Sequence, residues 1–83
     1  MDIVMYSIPG CAYCSHAKEL FRRAEVDYEH YIVGKDLTRT ELLEKYPLAY
    51  GYPYIIIDGE PIAGGLVETV KLFVQKGLVS SKS

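Results

Sequence analysis

Apolar and polar positions along this chain switch between a strand period and a helix period several times. Ile3-Val4-Met5-Tyr6 is a short apolar run without polar alternation, which predicts a central strand over Asp2–Ser7, buried on both faces. Ser7-Ile8-Pro9-Gly10 breaks it. Cys14, Ala17, Leu20, Phe21 and Ala24 then recur at helical spacing, predicting a helix from about Ala12 to Arg23 or Ala24. Ser15, His16, Lys18, Glu19, Arg22 and Arg23 form its wet face. Val26–Val33 alternates and then turns apolar, so it reads as a second strand with one face partly exposed and His30 at the surface. Two strands joined by a helix form a βαβ unit, parallel and right-handed.

Thr38 and Glu41 have capping-box spacing, and Pro47 stops the helix they open. Tyr52–Ile57 is a third strand, Asp58-Gly59 a hairpin turn, and Glu60–Ala63 the returning strand, placed at an edge by Pro61. Gly64-Gly65 leads into a last helix, Leu66–Lys76, with Leu66, Val67, Val70, Phe73 and Val74 apolar and Gly77 at its C-terminal cap. Ser80–Ser83 reads as a frayed polar tail. The expected architecture is α/β: one domain over residues 1–83, order β-α-β-α-β-β-α, a small four-stranded mixed sheet with three helices.

Composition narrows the function classes more than it names one. Apolar residues at 49% and charged residues at 24% are ordinary for a globular domain. A net charge of −2 gives no electrostatic footprint for nucleic acid. No apolar run approaches the roughly 20 residues that span a bilayer, and the N-terminus lacks the pattern of a signal peptide. The expectation is a cytoplasmic protein, where a lone C-x-x-C is more often catalytic than structural.

The chemistry concentrates in Cys11-Ala12-Tyr13-Cys14, which holds both cysteines of the chain. A strand, a tight turn and two cysteines opening a helix form the context of a redox pair. Residues i and i+3 meet on one helical turn, so the sulfurs can bond. The first cysteine falls where helix N–H groups have no helical partner, and that positive end favours thiolate, the nucleophilic form. Other readings of the pair are weaker. A structural disulfide here would close a loop too short to stabilise much. Zinc needs four ligands, and His16 and His30, the two remaining donors, lack finger spacing. His16 is most simply solvent-facing, with a role as acid or base beside the sulfurs the alternative.

Three segments together resemble the glutaredoxins, the smallest members of the thioredoxin-fold group. Tyr6-Ser7-Ile8-Pro9-Gly10-Cys11-Ala12-Tyr13-Cys14 is similar to the family's Y-[ST]-K-x-x-C-P-Y-C. Tyr52-Pro53-Tyr54-Ile55-Ile56-Ile57-Asp58-Gly59 is similar to V-P-x-[IV]-F-I-x-G, and Ile62-Ala63-Gly64-Gly65-Leu66-Val67-Glu68 to I-G-G-x-[DS]-D. The resemblance spans about Asp2 to Val79 and implies a thioredoxin-like fold. It implies a glutathione-dependent thiol-disulfide oxidoreductase that reduces protein disulfides and glutathione mixed disulfides, with ribonucleotide reductase one candidate substrate.

In that reading Cys11 is the attacking thiolate and Cys14 the resolving thiol. Pro53 is a cis proline facing them, and Tyr13 belongs to the substrate site. The Tyr52 backbone pairs with the cysteinyl part of glutathione like an added strand. Gly65 lets the chain pass close, and the N–H groups of Leu66 and Val67 hold the γ-glutamyl carboxylate. Glu68 is a further contact, toward the α-amino group. Arg39 and Lys45 are candidate carboxylate contacts. Glutathione is expected as co-substrate, with no tightly bound cofactor, no metal, no nucleic acid or membrane partner, and a monomeric chain.

The chain departs from the pattern at four places. Ile8 stands where the family often has lysine, so the helix terminus must do more of the thiolate activation. Ala12 replaces a proline. Tyr52 replaces a smaller valine, and with Tyr50 and Tyr54 it adds aromatic surface, either walling the groove or packing in the core. Val67 stands where an acidic or hydroxyl side chain is common. Three alternatives follow: a redoxin recharged by thioredoxin reductase, a carrier of a glutathione-ligated iron–sulfur cluster, and a binding module that uses neither cysteine.

Overall fold

The computed structural model describes residues 1–79. The polar tail Ser80–Ser83 lies outside the described residues. The elements run β1 (Ile3–Ser7), α1 (Ala12–Arg23), β2 (Glu29–Ile32), α2 (Arg39–Lys45), β3 (Tyr54–Ile57), β4 (Glu60–Pro61) and α3 (Gly65–Gln75). They build one four-stranded sheet in the order β2-β1-β3-β4. β1 is central, as its unbroken apolar run implies, and β4 is an edge, as Pro61 implies. β1 and β2 are parallel, with Met5 opposite His30 and Ser7 opposite Ile32. β3 runs antiparallel to β1 and to β4. Asp58 and Gly59, both at positive φ (52° and 82°), turn the hairpin.

Strand alternation divides the core between the two faces of the sheet. Ile3, Met5, Ile55 and Ile57 face α1 and α3, where they meet Ala17, Leu20, Phe21 and Phe73. The Phe21 ring lies 4.8 Å from Tyr28 and 5.8 Å from Phe73, centroid to centroid. Tyr6 and Ile56 face the other way, onto Leu42 of α2, Val33 and Ala49. Among the described residues, no helix is long and apolar enough to cross a membrane.

The termini of α2 follow the local code. Thr38 is its N-cap, its hydroxyl accepting from the Glu41 N–H at 3.1 Å while the Glu41 carboxylate accepts from the Thr38 N–H at 3.0 Å. Leu37, just before the cap, packs into the cluster that holds Leu42, the staple that accompanies such a box. Thr38→Ala removes the reciprocal pair from a helix of seven residues and is expected to cost about 1 kcal/mol. A urea titration should show a lower midpoint at unchanged slope. An unchanged midpoint would mean that packing alone holds α2.

Three local expectations need correction. The second strand is shorter than Val26–Val33, because only Glu29–Ile32 pairs with β1. His30 is not a surface residue. It shares parity with Tyr28 and Ile32, is half-buried, and its ring reaches back to β1. The buried residues of α3 are Thr69 and Phe73, with Leu66 and Leu72 packed beside them, whereas Val67 (62% exposed) and Val70 (37% exposed) point outward. A fully buried threonine supplies part of that face because its hydroxyl is satisfied within the helix, donating to the Gly65 carbonyl at 2.8 Å.

Candidate active site

The Pro9-Gly10 turn, with Gly10 at φ +76°, delivers Cys11 to the N-terminus of α1. Cys11 is the N-cap of that helix. Its backbone is extended, and its sulfur accepts a hydrogen bond from the Cys14 N–H at 3.1 Å. This is the place an oxygen side chain usually takes at a helix start, and here a sulfur uses the otherwise unpaired donor. No acidic residue stands in the first turn to oppose a negative sulfur. Cys11 and Cys14 are joined as a disulfide with Cα atoms 5.3 Å apart.

The two sulfurs are unequal in access. Cys14 is buried, 3% exposed against the sheet, while Cys11 is half-buried at the rim. An incoming disulfide can therefore reach Cys11 and not Cys14. A thiolate at Cys11 would be held by the helix start and by the Cys14 N–H, both of which favour the charged form.

On one side of the dithiol lies a cleft of about 430 Å³. Tyr13, Tyr52, Pro53, Gly65, Leu66 and Val67 line it together, though α1, the loop before β3 and α3 bring them from distant parts of the chain. The Tyr52–Pro53 peptide bond is cis. The start of α3 passes close to it: a Cβ on Gly65 would stand 3.2 Å from the Pro53 carbonyl oxygen, and Gly65 itself is at φ +58°. Gly64, at φ +87°, is the N-cap of α3 and has no side chain to satisfy the first N–H groups of the helix. Every residue lining this cleft is apolar, aromatic or glycine.

The remaining sequence-predicted residues fall elsewhere. Glu68 lies outside the cleft, its carboxylate 3.3 Å from the Lys71 ammonium. Arg39 and Lys45 line neither side of the dithiol, and Lys45 sits over the Tyr46 ring at 5.7 Å. His16 is exposed beside Tyr13. The three tyrosines divide. Tyr52 and Tyr54 both line the cleft and pack against the core on the α2 face, whereas Tyr50 is exposed and does neither. The Tyr52 hydroxyl is buried and has no hydrogen-bond partner among the described residues.

On the other side of the dithiol is a second cavity, of about 440 Å³, whose walls include Ser7, Ile8, Cys11, Cys14, Lys18 and Lys35. Lys18 and Lys35 thus bring positive charge to the flank where Ile8 supplies none. Ser7 is 3% exposed, and its hydroxyl is hydrogen-bonded to Nε2 of His30. Sequence reasoning missed this flank. A signal existed: Ser7 is the polar residue that ends a fully apolar strand, and His30 has the parity of Tyr28 and Ile32.

The family model described as Glutaredoxin matches residues 3–62. An uncharacterized glutaredoxin-like 8.6 kDa protein in the rubredoxin operon of Clostridium pasteurianum is 32% identical over 62 residues, covering 75% of this chain and 83% of that protein. The crystal structure of the thioredoxin-like protein BC3987 superposes with a TM-score of 0.71 at 37% identity, covering 84% of this chain and 96% of that one. A mutant of the same protein gives 0.72 at 36%, covering 87% and 97%. A thioredoxin-like fold, a C-x-x-C pair at a helix start and a family match over most of the length lead to one conclusion: the chain belongs to the glutaredoxin family.

Proposed function

We propose that this protein is a dithiol reductase of protein disulfides and of glutathione mixed disulfides, with Cys11 as nucleophile and Cys14 as resolving thiol. The observation that carries the proposal is the unequal access of the two sulfurs at the start of α1. The Cys11 thiolate attacks one sulfur of the target disulfide, forming a mixed disulfide and releasing the other sulfur as a thiolate, which takes up a proton. The Cys14 thiol gives up its proton, and its thiolate attacks the Cys11 sulfur. The second target thiol leaves, and the Cys11–Cys14 disulfide forms. Two electrons have passed from the pair to the target. Ribonucleotide reductase is one candidate substrate.

Glutathione is the first candidate for returning those electrons: two molecules reduce the pair and leave as glutathione disulfide. The free N–H groups at the start of α3, beside Leu66 and Val67, suit its γ-glutamyl carboxylate, and the Tyr52 backbone suits its cysteinyl amide. A second donor is favoured by a specific observation. The cleft has no charged side chain, although glutathione carries two carboxylates and an ammonium group. An uncharged aromatic cleft fits a protein surface, such as that of thioredoxin reductase.

The test offers the protein each donor separately, with a glutathione mixed disulfide and a protein disulfide as acceptors. Turnover coupled to glutathione and glutathione reductase supports the first donor. Turnover with thioredoxin reductase alone, and none with glutathione, assigns the second. Turnover with neither rejects the reductase proposal.

A further inference from the structure

Ser7 ends β1 with the strand parity of Ile3 and Met5, which face α1, and it lines the cavity that also holds Cys11 and Cys14. Its bond to His30 Nε2 consumes something the sulfurs could use, because a serine hydroxyl has one proton to give. Where Nε2 carries a lone pair, the Ser7 proton points at His30 and only oxygen lone pairs face the sulfur cavity. Where Nε2 carries a proton, His30 donates to Ser7, and the Ser7 proton is free to turn into the cavity. A lone pair repels a thiolate; an O–H stabilises it.

We propose that His30 is a positioning residue for the dithiol, and that its protonation turns the Ser7 hydroxyl into a hydrogen-bond donor toward the cysteine sulfurs. The device rests on the assignment of Cys11 and Cys14 as the redox pair and adds a control on it. His30 is set by groups from each element around it. Ser7 of β1 holds its Nε2, the Tyr28 ring before β2 lies 6.4 Å away, Lys18 of α1 opposes its charging, and Asp36 after β2 favours it. Burial first, then Lys18, hold the imidazole below its ordinary value, against a smaller opposite pull from Asp36. Neutral His30 is therefore the form at pH 7, and with the neutral ring protonated at Nδ1, so that Nε2 accepts from Ser7, the donor form of Ser7 appears as the pH falls. Thiolate formation is helped in the acid range, where a thiol otherwise loses its reactivity. Linkage is reciprocal, so a thiolate in the cavity must raise the His30 midpoint.

The experiment is the pH profile of iodoacetamide alkylation of reduced protein, read at Cys11 by mass spectrometry, for wild type, His30→Gln, Ser7→Ala, Ser7→Thr and the double variant His30→Gln/Ser7→Ala. Wild type and Ser7→Thr should depart from a one-proton curve on the acid side by about ten- to hundredfold in rate, the size expected for one hydrogen bond to a charged group. His30→Gln, Ser7→Ala and the double variant should follow a one-proton curve. A one-proton curve for wild type overturns the proposal. So does an acid inflection that survives Ser7→Ala, because the imidazolium field would then act without the hydroxyl. NMR titration of His30 in wild type needs no folded variant: its midpoint should be higher in the reduced than in the disulfide form, and equal midpoints also overturn it. Alkylation reads the thiol directly, so its outcome is separate from whether the protein turns over disulfides.

Discussion

Cys11→Ser is expected to abolish disulfide reduction, lowering the rate at least about 1,000-fold under either donor. A serine hydroxyl at the N-cap would take the Cys14 N–H as well as sulfur does, so the fold should survive. What is lost is the nucleophile: a hydroxyl is not ionised near pH 7 and forms no mixed disulfide, whereas a thiol beside a helix start ionises readily. Cys14→Ser should behave differently. It keeps the accessible sulfur and removes the buried one, so the mixed disulfide forms and is not resolved from within. Reduction of protein disulfides should then fall steeply, while glutathione mixed disulfides should still turn over if glutathione resolves them. The check is steady-state turnover of both variants beside wild type, with mass spectrometry of trapped intermediates. Retained turnover in Cys11→Ser would overturn Cys11 as the nucleophile, whereas no turnover in wild type with either donor would favour a binding module over a reductase.

Phe21→Ala is expected to destabilise the protein by about 3–5 kcal/mol. Phe21 is fully buried, packs against Tyr28 and Phe73, and ties α1 to α3 over one face of the sheet. Interiors are close-packed, so truncating the ring leaves a cavity that its neighbours only partly fill. A chain of this length has a total stability of roughly 4–12 kcal/mol. The substitution would remove about a quarter or more of it, and the dithiol would lose its platform because Cys11 caps α1 and Cys14 lies in its first turn. Urea unfolding followed by circular dichroism measures the loss. A change below about 1 kcal/mol would show that the α1–α3 contact is not what stabilises the domain.

Much of the architecture was legible in the sequence because the devices that produce it are local. Pro9-Gly10, the Thr38–Glu41 box, Asp58-Gly59 and Gly77 act within a few residues of themselves, and each stands where its element begins or ends. The three isoleucines of β3 and the apolar run of β1 place those strands inside the sheet without knowledge of their neighbours. The C-x-x-C pair was legible for the same reason: its chemistry needs one strand end, one turn and one helix start, all contiguous.

The sequence alone determined the C-x-x-C pair at a helix start, the order of elements and the class of fold. Only the tertiary structure decided which residues share a wall. Tyr13, Pro53 and Leu66 meet in one cleft, Glu68 is turned away to Lys71, and Val67 points outward although Leu66 before it packs inward. His30 meets Ser7, 23 positions away, because β2 lies parallel beside β1 and the strand parity turns His30 toward α1. These contacts depend on register and on helix rotation. A slip of one residue in a strand would reverse every face, and only the packed core chooses between the alternatives.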